Sequence, residues 1–194
     1  MRHLHRSFLL LVLSAPLAAQ GTQQGAAPTA PAMAAAVAPA VGDVAPDFTL
    51  PWADGKGARA EPVTLSKLRG QVVVLAFYPA DYTGGCTIEM TKFRNEYKAL
   101  FGDGVTVIPI SRDSLSTHKR WVNDSSFQFA LASDTAGAVA QQYASAGRGK
   151  YFNRTVFVVG KDGKVVWSKA PFNANAQVGY DSLAVAVAVA AAKK

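Results

Sequence analysis

The sequence predicts an α/β sandwich around a mixed sheet. Two near-continuous apolar runs, Gln71–Tyr78 and Val105–Ile110, have the composition of strands buried on both faces. Helical patterns alternate with them, and a hairpin followed by one more helix closes the chain. The length of 194 residues, with 49% apolar and 17% charged, suits one globular domain and excludes a disordered chain. No internal repeat is visible.

The elements follow in order. Asp47-Phe-Thr-Leu50 and Pro62-Val-Thr-Leu65 are short extended pieces on either side of Asp54-Gly-Lys-Gly57, a hairpin pattern. The β-branched and aromatic run Gln71–Tyr78 is a strand. After the loop Pro79–Gly85, the spacing of Ile88, Phe93, Tyr97, Leu100 and Phe101 predicts a helix from Cys86 to Phe101 with those residues inward. Val105–Ile110 is the second strand. Ser114 is placed to cap a helix running to about Val122, and Asp134 to cap one ending near Tyr143. Thr155–Val159 and Lys164–Trp167 flank Lys161-Asp-Gly163, a strong hairpin signal. Asp181–Ala192 is read as the closing helix, although its Val/Ala alternation also fits a strand.

The N-terminus has a different character. Arg2 and Arg6 precede the apolar run Phe8–Leu13, and small residues follow up to a cut expected after Ala19. That order describes a secretory signal peptide over residues 1–19, too short to span a bilayer, with an uncleaved anchor as the alternative. Residues 20–41 are Ala/Pro/Gly/Gln-rich and uncharged, a flexible tether, so the folded domain is expected over 42–194. The expected location is a bacterial periplasm or cell envelope. The full chain carries +7; without Arg2 and Arg6, 18 Lys+Arg face 13 Asp+Glu, a net +5. No basic block or basic–aromatic stripe points to nucleic acid.

One cysteine excludes an intrachain disulfide, a CxxC redox pair and a thiolate zinc site. Exported proteins usually use cysteines in pairs, so a single one suggests a reactive thiol or an intermolecular partner. Cys86 falls in the first turn of a helix, where unpaired N–H groups favour an anion. A small buried hydrophobe is the other reading of that position.

The loop before it, Pro79-Ala-Asp-Tyr-Thr83-Gly-Gly-Cys86, resembles the P-x-x-x-T-x-x-C loop of the peroxiredoxins (AhpC/TSA superfamily), most closely the Q-type, or bacterioferritin-comigratory, branch. Gly42–Leu50, Val72–Pro79, Ser111-Arg-Asp-Ser114 and Asn153–Lys164 are similar to further family segments, so the likeness spans about Gly42 to Trp167. It implies a thioredoxin-like fold of peroxiredoxin type and a thiol peroxidase. Cys86 would then be the nucleophile, with Thr83 and Arg154 polarising the peroxide and Pro79 shaping the pocket. Gly85 would allow close approach, and Glu89 would orient Arg154 by an ion pair. Arg94 carries a weaker version of that expectation.

Those residue types suit the chemistry. Lowering a thiol's pKa raises its thiolate fraction but weakens the nucleophile, so speed requires donors for the charge on the departing oxygen. Each residue also has a plainer reading: Thr83 as a helix cap, Pro79 as a strand terminator, Arg154 as an exposed strand residue, Glu89 as a solvated helix residue. One departure matters. Q-type relatives often carry a resolving Cys five residues beyond the first, and position 91 here is Thr. The sulfenic acid formed at Cys86 would therefore need a second thiol from outside the chain or from another subunit's Cys86.

The expected substrates are hydrogen peroxide and small organic hydroperoxides. The expected partner is an external thiol reductant, a thioredoxin-like protein or a small thiol, and the protein is expected to be a monomer or homodimer. No metal or organic cofactor is implied, His118 being without a companion ligand, and no stable membrane insertion follows signal cleavage. The sequons Asn123-Asp-Ser125 and Asn153-Arg-Thr155 are read as chance. The rival reading keeps the fold and drops turnover: an exported, tethered interaction module whose Cys86 forms mixed disulfides with clients.

Overall fold

The computed structural model describes residues 36–193. The expected signal peptide and most of the expected tether lie outside the described residues. Four short strands open the chain: β1 (Thr49–Leu50), β2 (Trp52–Asp54), β3 (Gly57–Ala58) and β4 (Val63–Thr64). The expected hairpin is therefore double. β1 pairs antiparallel with β4, and inside it β2 pairs with β3 across the Asp54–Gly57 turn. Asp54 Oδ1 accepts the Lys56 N–H at 2.8 Å there, the Asx geometry that makes Asp a turn former.

A 3-10 turn, Leu65–Leu68, leads to β5 (Val72–Phe77), buried at every position. Next come α1 (Gly84–Asn95), α2 (Tyr97–Phe101), β6 (Val105–Ser111), α3 (Leu115–Ser125), β7 (Leu131–Ser133) and α4 (Ala138–Gln142). The chain ends with β8 (Thr155–Val159), β9 (Val165–Lys169) and α5 (Gln177–Ala192). The main sheet has the order β3-β2-β7-β6-β5-β8-β9. β5 runs parallel to β6 and antiparallel to β8, so the sheet is mixed. Pro109 stands in β6 one residue before β7 joins at Ile110, where a missing N–H breaks no ladder bond.

The alternation along β5 divides the core. Val72, Val74, Ala76 and Tyr78 face a layer that includes Met90, Phe93, Trp121 and Leu183 from α1, α3 and α5. Val73, Leu75 and Phe77 face Phe48, Val139, Tyr143 and Phe157 on the other side. Burying one such aromatic fully is worth roughly 2 kcal/mol, and Phe77 is wholly enclosed.

Several expectations are corrected. The helix expected from Cys86 to Phe101 begins two residues earlier and breaks at Glu96 (φ −110°, ψ 20°). Within α2 the Tyr97 ring meets Phe101 at 5.0 Å, and it stacks on Phe129 at 6.3 Å. Ile88 is 46% exposed rather than inward, because the buried face of α1 runs through Cys86, Glu89, Met90 and Phe93. Asp134 is not the N-cap residue of α4, which is Gly137. Asp134 opens a turn that reaches Gly137 (φ +74°), and its carboxylate accepts the Ala140 N–H inside the short α4. β7 was not expected, since Leu-Ala-Ser lacks both length and β-branching. The closing segment is a helix that starts at Gln177, burying Tyr180, Leu183, Val187 and Ala190 along one stripe. As expected, Ser114 caps α3, its Oγ accepting the Thr117 N–H at 3.3 Å.

Candidate active site

Cys86 is the third residue of α1, and its side chain is fully enclosed. β5 delivers the chain to this point, and Pro79–Thr83 turns it into the helix. Thr83 occupies the N-cap position without using its hydroxyl as a cap. Its Oγ1 lies 2.7 Å from Cys86 Sγ and 3.0 Å from the Ala80 carbonyl oxygen. A hydroxyl has one proton. Opposite a thiol, Thr83 donates to Ala80 and accepts from S–H; opposite a thiolate, it donates to sulfur. The first N–H bonded within the helix is that of Thr87, to the Thr83 carbonyl. The Gly85 and Cys86 N–H groups therefore remain among the unpaired donors of the first turn.

Arg154 comes from the far end of the sequence. The register Phe77↔Thr155 between β5 and β8 sets the residue before β8 beside the loop that leaves β5. Its Nη2 donates to Cys86 Sγ at 3.3 Å, and its Nη1 donates to Glu89 Oε2. A Cβ on Gly85 would stand 3.1 Å from Nη2, tighter than ordinary packing, so glycine makes room for the guanidinium. Glu89 is fully buried, and its Oε1 has no hydrogen-bond partner among the described residues. Burial pushes its carboxyl up to about 7, outweighing the attraction of Arg154. Burial works against the Arg154 cation, yet the nearby Glu89 and Cys86 more than compensate and hold its pKa above the usual value.

The structure thus brings Cys86, Thr83, Gly85, Glu89 and Arg154 together. Pro79 lines an adjoining cleft of about 400 Å³ with Ala80, Thr83, Arg112, Asp113 and Lys150. Arg94 is elsewhere, donating to the Ser125 carbonyl at the end of α3. A larger cleft of about 520 Å³, between β9 and α5, contains none of these residues. The side-chain amides of Asn123 and Asn153 are both engaged with backbone carbonyls, of Gly55 and Ala146.

Sequence reasoning gave Tyr78, Asp81 and His118 no role. They form a buried chain beneath the loop: Tyr78 Oη donates to Asp81 Oδ1 at 2.7 Å, and His118 Nδ1 lies 2.8 Å from Asp81 Oδ2. Burial, then the Asp81 charge, drives the Tyr78 phenol well above its usual pKa. The inward position of His118, three residues before Trp121 on α3, was the available signal.

Comparison with known proteins assigns the chain to a family. The AhpC/TSA family model matches residues 41–168. The chain belongs to the AhpC/TSA family. It is 36% identical over 138 residues to a peroxiredoxin bcp of Coxiella burnetii, covering 66% of this chain and 88% of that one. It is 41% identical over 102 residues to the chloroplastic peroxiredoxin Q of Triticum aestivum, covering 53% of this chain and 45% of the relative. Among solved structures, peroxidoxin BcpB of Mycobacterium tuberculosis superposes with a TM-score of 0.65 at 31% identity, over 77% of this chain and 96% of that one. PrxQ of Xylella fastidiosa reaches 0.67 at 23% identity, over 79% and 99%, which bears on the fold. The fold is thioredoxin-like of the peroxiredoxin type, and the enzyme class is that of thiol-dependent peroxidases.

Proposed function

We propose that the protein is a one-Cys peroxiredoxin that reduces hydrogen peroxide and small organic hydroperoxides through a sulfenic acid at Cys86. The observation that carries this reading is the pair of donors on one sulfur: Thr83 Oγ1 at 2.7 Å and Arg154 Nη2 at 3.3 Å, around the chain's single cysteine. The Cys86 thiolate attacks the hydroxyl-bearing oxygen of the peroxide. An S–O bond forms, the O–O bond breaks, and the second oxygen leaves with the electron pair and takes up a proton. Arg154 and the first-turn N–H groups face the charge that develops on those oxygens, already oriented before the reaction. Thr83, with a proton to give and lone pairs to accept, holds peroxide and sulfur together.

With Thr at position 91 and no second cysteine, an external thiol condenses with the sulfenic acid, releasing water and leaving a mixed disulfide. A further thiol then releases Cys86. The two donors on the sulfur weigh against a module that captures clients by disulfide, since such a module has no need of groups that polarise a peroxide. Export to a bacterial periplasm or envelope remains part of the proposal. It rests on the Met1–Ala19 pattern, and N-terminal sequencing of the protein recovered from its native host tests it.

The deciding experiment is stopped-flow single turnover of the reduced protein with hydrogen peroxide, with chemical trapping of the sulfenic acid. The expected oxidation is orders of magnitude faster than that of free cysteine, and Cys86→Ser abolishes turnover while the protein stays folded. A rate equal to that of free cysteine, or turnover surviving in Cys86→Ser, overturns the assignment.

A further inference from the structure

Three residues of α3, at successive spacings of three, meet the loop that carries Thr83. His118 Nδ1 pairs with Asp81 Oδ2 at 2.8 Å, both side chains being essentially inaccessible. The Trp121 ring packs against Tyr82, with centroids 5.7 Å apart, and against Tyr78 at 5.8 Å. Asp124 Oδ2 accepts the Tyr82 hydroxyl at 2.8 Å. The loop is also tied from the segment just after β6, where Asp113 Oδ2 accepts the Asp81 N–H at 2.9 Å. Between these ties Tyr82 has φ +59°, a left-handed conformation that bulky residues rarely adopt. Such a conformation persists only where its surroundings over-determine it. The next residue is Thr83.

We infer that the α3 face His118–Trp121–Asp124 is a positioning device for peroxide attack, holding Asp81 and Tyr82 so that the Thr83 hydroxyl stays on the Cys86 sulfur. The inference rests on the peroxidase reading and extends it to residues that touch neither peroxide nor sulfur. Its chemistry is geometric. A displacement of about 1 Å at a reacting group can cost on the order of a hundredfold in rate. Thr83 reaches the sulfur from a loop, and a loop keeps such a position only if its neighbours lock it. His118 supplies that lock through a buried donor, and Asp81 has no other partner on Oδ2 among the described residues.

The test separates reactivity that needs Thr83 from reactivity that needs only an accessible thiolate. Wild type, His118→Leu and His118→Asn are each oxidised by hydrogen peroxide and, separately, alkylated by iodoacetamide. In His118→Leu, peroxide oxidation is expected to fall at least tenfold, with alkylation unchanged or faster. His118→Asn, whose amide N–H can replace Nδ1–H, recovers most of the loss. Equal losses in both reactions, or no loss of peroxide rate, overturns the inference. Should His118→Leu fail to fold, Tyr82→Phe carries the same test from the surface. It is expected to lose about threefold against peroxide alone, and an unchanged rate counts against the device. Wild type that reacts no faster than free cysteine removes the peroxidase reading, and this inference with it; fast wild type with a fast His118→Leu removes the device alone.

Discussion

Arg154 and Thr83 both touch the Cys86 sulfur, yet they are held there by opposite means. Arg154 is placed by the sheet: pairing between β5 and β8 fixes its backbone, and Glu89 on α1 fixes its head group. Thr83 sits in a loop, and its place depends on side chains from α3 and on Asp113 just after β6. The arginine is backed by a continuous hydrogen-bonded ladder, whereas the threonine is backed by a few discrete contacts. A ladder register resists slippage because one step would turn every side chain over. A loop has no such protection, so its accuracy has to be supplied residue by residue.

That contrast can be broken at either donor. Arg154→Ala removes a charged donor from the developing oxyanion, and the expected loss is about 10²–10³-fold in the peroxide rate constant. A loss under threefold in stopped-flow oxidation would leave Arg154 a structural partner of Glu89 only. Thr83→Val keeps the shape but loses the hydroxyl, with an expected loss of about tenfold to a hundredfold. Thr83→Ser, which restores the hydroxyl, is expected to recover most of it. If valine and serine behave alike, the 2.7 Å contact is packing rather than a hydrogen bond the reaction uses.

The smallest expected effect concerns the support beneath Arg154. Glu89 lies near 7 in the folded protein against an ordinary value of 4.5, because burial disfavours its charged form. Between those values the native state holds more protons than the unfolded chain, so this group's contribution to stability is complete below about pH 4.5 and is lost as pH rises through 7. Glu89→Gln removes that contribution. The decline in thermal stability between pH 4.5 and 7 is expected to be shallower in the variant. Parallel curves for the two proteins would mean that another group is responsible.

The two routes also differ in what a reader of the sequence can see. Thr83 and Cys86 are three residues apart in one loop, and Arg154 stands at the mouth of a run of five buried strand residues, so the family resemblance reaches both through short motifs. The strands β5 and β6 are legible without it: continuous apolar sequence has few alternatives. Of the supports, Glu89 is legible only through the family resemblance and the others not at all. Glu89 looks like a solvated helix residue until a guanidinium 65 positions away arrives to cover it. Its burial takes the inward side that an apolar count assigns to Ile88. His118 has no sequence neighbour to explain it, because Asp81, its partner, is 37 residues upstream. β7 escapes the sequence, and α4, foreseen as a helix ending near Tyr143, starts later than Asp134 suggests, for a local reason. With three and five residues, they are fixed by tertiary pairing and by the Asp134 turn rather than by their own propensities.

The enclosure of Cys86 has a further consequence, in time rather than in energy. A sulfur with no exposed surface cannot meet the sulfur of a second copy while the first turn of α1 stays wound. On the reading proposed above, a sulfenic acid formed there waits until a reducing thiol from outside the chain reaches it. On that reading, how long each oxidised molecule persists is set by how readily reducing thiols reach the enclosed sulfur. A population of such molecules integrates recent exposure to peroxide, with a memory as long as that wait.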